Sequence, residues 1–318
     1  MLRLPGSWLW DLWLADDGDR YHLFFLFASR ALEDERLRHR RAAIGHAVSE
    51  DLRNWDRVGE VLAASAAPAF DDLATWTGSV VRGHDDRWWL FYTGVTLVDG
   101  RIRQTIGAAT STDLRVWHKE PSSPLVTADE RWYGRLGGED WPEEAWRDPW
   151  VFADPDGDGW HMLVTARANR GPADDRGVLG HARSPDLRRW QVLPPRSRPG
   201  SGFGHLECPQ VASVDGRLVL VFSCLDPQFS AARRATGAAG GILYVPTDSP
   251  AGPFDIAAAR PLTSDAFYCG RIVQDRSGQP VLLAFRYHDQ ARRFVGELSD
   301  PMPVGWEHGE LKAEVPPA

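Results

Sequence analysis

The sequence predicts an all-β fold, built as one five-bladed β-propeller. A polar turn followed by an apolar, aromatic-rich run occurs five times, and the runs begin at Tyr21, Trp88, Trp160, Leu218 and Val281. Each run has the length and the Val, Leu, Phe and Trp content of a buried strand, and no window keeps a helical period. Five copies of one unit indicate five radially arranged sheets.

A second segment of the repeat follows the first three of these strands. It contains a strand, a turn and the pattern Asp-Leu-Arg-x-Trp, which ends at Trp55, Trp117 and Trp190. Because these tryptophans recur with the unit, we expect them to pack in the core rather than to contact a ligand. The fourth and fifth copies are degenerate. The copies are long for a four-stranded blade, which predicts extra loops that shape a binding face.

The chain of 318 residues is predicted to form one domain, 1–318, because no Pro/Gly/Ser-rich linker divides the repeats. The basic run Arg36–Arg41 is interpreted as a solvated loop, with a loop lining the substrate as the alternative. A net charge of −8 with mixed signs argues against a nucleic-acid partner. We expect a monomer or a homodimer.

Location and redox state are predicted from what the sequence lacks. It has no apolar run long enough for a membrane span, and its start has no signal-peptide pattern, so we expect a cytoplasmic protein without a membrane partner. Cys208, Cys224 and Cys269 cannot all pair, and strand thiols suit a reducing compartment. Disulfides are not predicted.

Three acidic motifs lie just before polar turns of the repeat. They are Trp10-Asp11-Leu12-Trp13, Trp146-Arg147-Asp148-Pro149 and Leu206-Glu207-Cys208-Pro209. Counting back from each turn gives one position per blade on the expected innermost strand: Asp11, Thr77-Gly78, Asp148, Glu207 and Tyr268. Burying unpaired carboxylates at the centre of a propeller is costly, so a functional pocket explains them better than a structural role does.

These motifs resemble those of the β-fructofuranosidase and levansucrase clan, glycoside hydrolase families 32 and 68, which are five-bladed propellers. Arg147-Asp148-Pro149 is similar to the clan's Arg-Asp-Pro motif, and Glu207-Cys208 to the Glu-Cys of family 32. The segment around Asp11 looks more like the Trp-Asp-x-Trp of family 68, and Trp76–Ser79 is similar to the clan's Ser-Gly-Ser segment. Since the fifth repeat ends close to residue 318, we expect no C-terminal β-sandwich of the family 32 type.

The resemblance implies a glycoside hydrolase or transglycosylase that acts on a small β-fructofuranoside without a cofactor. It implies Asp11 as nucleophile, Glu207 as general acid/base, and Asp148 as transition-state stabiliser with Arg147 beside it. A nucleophile must be ionised and a general acid must hold its proton. Retention requires carboxyl groups about 5–5.5 Å apart, whereas about 6.5–9.5 Å would favour inversion.

Further side chains near the motifs are predicted to contact a sugar. Aromatic faces stack on sugar C–H surfaces, and residues two apart on a strand share a face. The candidates are Trp10, Trp13, Trp76, Ser79, Arg147, Trp146, His205, Tyr268 and Arg271. No metal site is predicted, since Asp154–Gly159 begins like a calcium loop but has Thr165 where the bidentate glutamate belongs.

Two alternatives stay open at this point. An inverting arabinofuranosidase or xylosidase of the family 43 type would share the five-bladed fold and the order of two aspartates and a glutamate. A non-catalytic sugar-binding propeller would tolerate replacement of Asp11 and Glu207. Product stereochemistry separates the first alternative from a retaining enzyme, and loss of turnover on substitution excludes the second.

Overall fold

The computed structural model describes residues 1–137 and 141–315 and contains five antiparallel sheets around one axis. Strand runs alternate with short polar turns, as the repeat predicts. The first sheet comprises β1 (Ser7–Asp16), β2 (Tyr21–Ser29), β3 (Ala43–Ser49) and β4 (Asp56–Leu62). The second comprises β5 (Ala74–Arg82), β6 (Trp88–Val98), β7 (Arg101–Ser111) and β8 (His118–Lys119). The third comprises β9 (Trp146–Ala153), β10 (Trp160–Arg167), β11 (Gly177–Ser184) and β12 (Gln191–Leu193).

The fourth and fifth sheets complete the ring. The fourth comprises β13 (Glu207–Val214), β14 (Arg217–Cys224), β15 (Gly241–Pro246) and β16 (Arg260–Pro261). The fifth comprises β17 (Phe267–Gln274), β18 (Pro280–His288), β19 (Phe294–Leu298), β20 (Met302–Glu307) and β21 (Glu310–Ala313). The prediction of an all-β, five-bladed propeller is confirmed, and no sheet of the described residues forms a sandwich.

Helical segments are short and lie in the connections. The α-helix α1 spans Ala231–Ala235, in a region where the sequence pattern predicts no helix. The 3-10 segments are Arg30–Leu32, Glu35–Arg41, Ala173–Asp175, Asp226–Gln228 and Ile256–Ala258.

The first strand of every sheet lies innermost. In sequence order, β1, β5, β9, β13 and β17 contact one another around the axis, and the later strands of each sheet lie farther out. The hydrophobic core consequently lies between neighbouring sheets, where apolar side chains of both faces pack together. This arrangement brings residues far apart in sequence to one axial end.

The Asp-Leu-Arg-x-Trp pattern forms the same turn in three blades. The leucines, Leu52, Leu114 and Leu187, are buried at φ of 62, 60 and 65°. This left-handed conformation is unusual for leucine, and the preceding aspartate supports it by accepting two backbone N–H groups. Two of the closing tryptophans, Trp117 and Trp190, pack edge-on against a phenylalanine of the preceding blade, Phe24 and Phe91 respectively. Trp306 of the fifth blade packs in the same way against Tyr244 of the fourth.

The ring closes between the first and fifth sheets without a shared strand. All strands of the first sheet precede residue 63 and all strands of the fifth follow residue 266. Contacts across this junction include the Leu298 N–H to the Leu2 carbonyl at 3.1 Å and the Arg30 guanidinium to the Val295 carbonyl at 2.8 Å. Side-chain and loop contacts therefore set the position of the first blade against the last.

Candidate active site

A cavity of about 370 Å³ opens at one end of the axis. Each of the five innermost strands contributes to it, from the segment that the repeat predicts. Its walls include Trp10, Asp11, Trp76, Thr77, Arg147, Asp148, Glu207, Cys208 and Tyr268. The seven predicted site residues in this set come from all five blades, and the cavity brings them together.

A β-bulge in each innermost strand aims these side chains at the axis. The pairing register shifts at this point in all five blades. The bulged residues with positive φ are Asp11 (38°), Asp148 (57°), Cys208 (53°) and Cys269 (50°), and Thr77 holds the same position in the second blade. A bulge re-aims a side chain toward a site at a local cost in backbone conformation.

The bulges correct the repeat alignment by one residue. Glu207 and Tyr268 do not share the position of Asp11 and Asp148, because the bulged residues of their strands are Cys208 and Cys269. They precede the bulge, as Arg147 precedes Asp148. In the fourth and fifth blades, the predicted equivalent position is therefore one residue too early in the sequence. Counting residues back from a turn does not detect the extra residue of a bulge.

Arg147 lies at the centre of the polar network. Its Nη2 donates to Glu207 Oε1 at 2.5 Å and to His205 Nδ1 at 3.0 Å. Its Nη1 donates to Gln104 and Glu143 at 3.1 Å each, and its Nε lies 3.7 Å from Asp148 Oδ2. One buried guanidinium therefore holds the carboxylates of the third and fourth blades together.

The environment of the Asp11 carboxyl shifts its pKa far from the ordinary value. Thr77 Oγ1 donates a hydrogen bond to its Oδ2. Burial, followed by the charges of Asp148 and Glu207, raises the pKa of Asp11 from 3.8 to about 7, against the lowering effects of Thr77 and Arg38. The hydrogen bond alone does not keep this group fully ionised at neutral pH, which differs from the expectation for a nucleophile.

Asp148 is buried and held by three groups. Its Oδ2 accepts hydrogen bonds from Thr165 Oγ1 at 2.8 Å and from the Cys208 N–H at 3.1 Å, with Arg147 alongside. Burial nevertheless raises its pKa above 3.8, because desolvation outweighs the guanidinium charge. Burial therefore disfavours the charged form of both aspartates.

Glu207 is fixed by two donors from different blades. Arg147 bonds to Oε1, and the Tyr268 hydroxyl donates to Oε2. Burial and the charge of Glu207 raise the pKa of Tyr268 well above 10, so the phenol stays a hydrogen-bond donor. The Glu207 carboxylate is oriented with both oxygens engaged.

Five predicted site residues do not line the cavity. Trp13 is fully buried and stacks on Phe24, and Trp146 is fully buried and packs against Tyr133, so both rings belong to the hydrophobic core. Ser79 Oγ accepts from the Val151 N–H at 3.1 Å. The two remaining residues, His205 and Arg271, are buried and are not among the residues that line the cavity.

His205 was predicted from strand alternation, but β13 begins at Glu207, so the alternation does not reach it. Its ring lies edge-on to Trp141 and accepts from Arg147 at Nδ1. Burial, with the charge of Arg147, lowers its pKa well below 6.5, so the ring is neutral. Arg271 bonds to backbone carbonyls instead of facing the cavity.

The basic run was interpreted first as a solvated loop, and the structure places it on the cavity wall. Arg36, Arg38, His39 and Arg40, all in the 3-10 segment Glu35–Arg41, line the opening. Trp76 Nε1 donates to the His39 carbonyl at 2.6 Å, which anchors the segment. Arg38 is buried, with its guanidinium 5.4 Å from the Trp10 ring and 4.1 Å from that of Phe294.

One group in the described residues could share a metal ion. A carboxylate oxygen of Asp11 and the Sγ atoms of Cys208 and Cys269 lie within 4.8 Å of one another. Burial raises the pKa of the Cys208 thiol well above 9, which disfavours the thiolate that a metal requires. The arrangement suits carboxylate chemistry better.

Comparison with known proteins identifies the family. The model of the glycosyl hydrolases family 32 N-terminal domain matches residues 13–290. The chain belongs to this family. It is a glycoside hydrolase, as the motifs predict. The matched region begins two residues after Asp11 and includes Asp148 and Glu207. The structure of a thermostable family-43 glycoside hydrolase also superposes, with a TM-score of 0.68 at 16% identity over 98% of this chain and 94% of that one, which shows that the fold is shared.

Relatives and solved structures agree with this family. An extracellular sucrase of Zymomonas mobilis is 25% identical over 341 residues, covering 92% of this chain and 78% of the relative. Sucrose-6-phosphate hydrolase of Bacillus subtilis is 28% identical over 209 residues, 64% of this chain and 38% of the relative. The structure of inulosucrase from Halalkalicoccus jeotgali bound to kestose superposes with a TM-score of 0.79 at 19% identity, over 98% of this chain and 87% of that one.

Within residues 1–137 and 141–315, no helix combines the length and the apolar character that crossing a bilayer requires.

Proposed function

We propose that this chain hydrolyses or transfers the β-fructofuranosyl group of a small fructoside, such as sucrose or a fructo-oligosaccharide, through a covalent glycosyl-enzyme ester. Residues 1–318 act as one catalytic domain in this proposal. Support comes from family 32 membership and from relatives named sucrase, sucrose-6-phosphate hydrolase and inulosucrase. The observation that carries it is one cavity lined by Asp11, Asp148 and Glu207.

Asp11 is the proposed nucleophile. Its side chain reaches the cavity from a bulge, and Thr77 holds one oxygen, which leaves the other to attack the anomeric carbon. Formation of the ester breaks the glycosidic bond, and the leaving oxygen needs a proton. Glu207 is the proposed donor, and it then removes a proton from the water or acceptor sugar that cleaves the ester.

Asp148 and Arg147 are proposed to bind sugar hydroxyls as positive charge develops on the ring. Trp10 and Trp76 also line the cavity and are proposed to supply apolar surface for the sugar, and Tyr268 orients the acid/base. Cavities that bury a sugar combine such flat rings with a few fixed polar groups. No proposed step uses a cofactor.

Product analysis by NMR during early turnover tests this function. The substrates are sucrose, short inulin and levan oligosaccharides, and arabino-oligosaccharides. Fructose released or transferred with retained configuration, and lost in Asp11→Asn and Glu207→Gln, is the expected result. Inverted arabinose, or sugar binding without turnover, would contradict the proposal.

Cellular location and assembly remain predictions. We propose a cytoplasmic monomer or homodimer, whereas one relative is named an extracellular sucrase. Fractionation of the native host, with size-exclusion chromatography and light scattering on the purified chain, tests both.

A further inference from the structure

Arg271 is a buried arginine whose side-chain hydrogen bonds all go to backbone carbonyls, and its Cζ lies 5.6 Å from the centre of the Trp150 ring. It lies on β17 with 1% of its surface exposed. Its Nε donates to the Leu12 carbonyl at 3.0 Å, and its Nη1 donates to the carbonyls of Cys208 at 2.6 Å and Pro209 at 3.1 Å. Within residues 1–137 and 141–315, no carboxylate pairs with it. Burying a guanidinium without a counter-charge is expensive, so its presence calls for a reason.

The acceptors are the residues that follow two proposed catalytic groups. Leu12 comes directly after Asp11, and Cys208 comes directly after Glu207. We propose that Arg271 is a positioning residue that holds the bulge carrying the nucleophile and the bulge directly after the acid/base at one separation. This inference rests on the proposed function and assigns the residue a task in the same reaction.

The fold explains why such a connection is needed. The first and fifth sheets share no strand, so the place of Asp11 relative to Glu207 depends on contacts across two blade junctions. The planar guanidinium of Arg271, in the fifth sheet, bonds to the first sheet at Leu12 and to the fourth sheet at Cys208 and Pro209, so it connects both junctions. The Gln210 and Ser79 side chains also link neighbouring blades, but each bonds to only one neighbour, at Ile272 and Val151 respectively.

The chemistry requires a guanidinium rather than any cation. Arginine presents five donors in a fixed planar fork, whereas lysine offers a point charge on a flexible stem. Three carbonyls from two strands accept hydrogen bonds from Nε and Nη1 of this fork, whereas Nη2 has no hydrogen-bond partner in the described residues. A displacement of about 1 Å between reacting groups can cost about 10² in rate, which sets the size of the expected effect.

The experiment compares Arg271→Lys, Arg271→Met and Arg271→Ala in the full chain, using a fructoside that the wild type turns over. We expect kcat to fall about 10²-fold in Arg271→Met while KM stays near the wild-type value. Arg271→Lys should recover part of the loss. Guanidinium ion at sub-denaturing concentration should restore kcat of Arg271→Ala in a saturable manner, because it refills the fork.

Arg30 supplies an exposed control at the same blade junction. It also donates to backbone carbonyls at the junction of the first and fifth sheets, at Ser7 and Val295, but it does not line or underlie the cavity. The same three substitutions at Arg30 should lower Tm without lowering kcat and without guanidinium rescue.

The outcomes separate cleanly. If the Arg271 variants lose Tm but keep kcat, or if kcat is lost with no recovery by lysine or guanidinium, Arg271 is a structural staple and the proposal is overturned. If the wild-type chain turns over no fructoside, the proposed function is wrong, and this inference is wrong with it. That outcome is observed on the wild type, before any substitution is made, so it is distinct from failure of the positioning role alone.

Discussion

Arg147 donates from Nη2 to Glu207 Oε1 over 2.5 Å, and this contact joins the third blade to the fourth at the floor of the cavity. The same guanidinium bonds to Glu143 and lies beside Asp148. Three carboxylates therefore depend on a single buried cation. Removing one partner of a buried charge network leaves the others uncompensated, which costs far more than the pair contributes when intact.

Arg147→Lys should lower kcat/KM by about 10²-fold or more, because an ammonium cannot bond to Glu207, Glu143 and Gln104 in one plane. Steady-state kinetics on the best fructoside measure it. Arg196→Lys is the control, since Arg196 donates to the Ala251 and Gly252 carbonyls away from the cavity. Equal activity in both variants would contradict the central role of Arg147.

Glu207→Gln should lose about 10²–10⁴-fold in kcat on sucrose, the usual contribution of a general acid/base. With an aryl β-fructofuranoside, whose phenol leaves without a proton, the first step should be largely spared. Burst kinetics then show the ester accumulating. Glu143→Gln is the matched control, because Glu143 also lines the cavity and contacts Arg147. Loss of the same size with both substrates in Glu207→Gln would argue against the acid role.

Much of the fold could be predicted because its unit repeats. The five runs from Tyr21 onward have strand composition between polar turns, and the five-sheet ring follows from counting them. The one-residue shift at Glu207 and Tyr268 could not be predicted, since a bulge leaves no compositional trace. The helix Ala231–Ala235 is too short to produce a period.

The part of the candidate site that lies in short sequence motifs could be predicted. Asp11, Asp148 and Glu207 share one cavity, as their repeat positions indicate. The preferred interpretation of the basic run as a solvated loop missed that the segment Glu35–Arg41 lines the cavity. Its position depends on the hydrogen bond from Trp76 to the His39 carbonyl, which the sequence does not show. Burial of Trp13 and Trp146 is likewise decided by which face of a strand meets the neighbouring blade.

Thr77→Val should move the acidic limb of the kcat/KM profile to higher pH. Asp11 must be ionised to attack, and its pKa of about 7 is already lowered by the Thr77 hydrogen bond. Without that bond the pKa rises, so activity is lost at a higher pH on acidification. Thr75→Val, on the same strand with its Oγ1 near the Leu62 carbonyl, should leave the limb unmoved. An unchanged limb in Thr77→Val would show that another group controls it.

Asp11→Asn should make the protein more stable at neutral pH while it abolishes turnover. The folded state raises the pKa of Asp11 from 3.8 to about 7, so it binds a proton that the unfolded chain has already released. Stability therefore falls as the pH rises from about 4 to about 7, and asparagine removes this loss. Calorimetry should give a higher Tm for Asp11→Asn at about pH 8, with the difference shrinking toward about pH 4.

Asp51→Asn is the control of opposite sign. Hydrogen bonds from the Asn54 and Arg53 backbone lower the pKa of Asp51, so its charged form stabilises the fold. The substitution should therefore lower Tm at neutral pH. A Tm difference for Asp11→Asn that does not change with pH would mean that Asp11 is charged alike in both states.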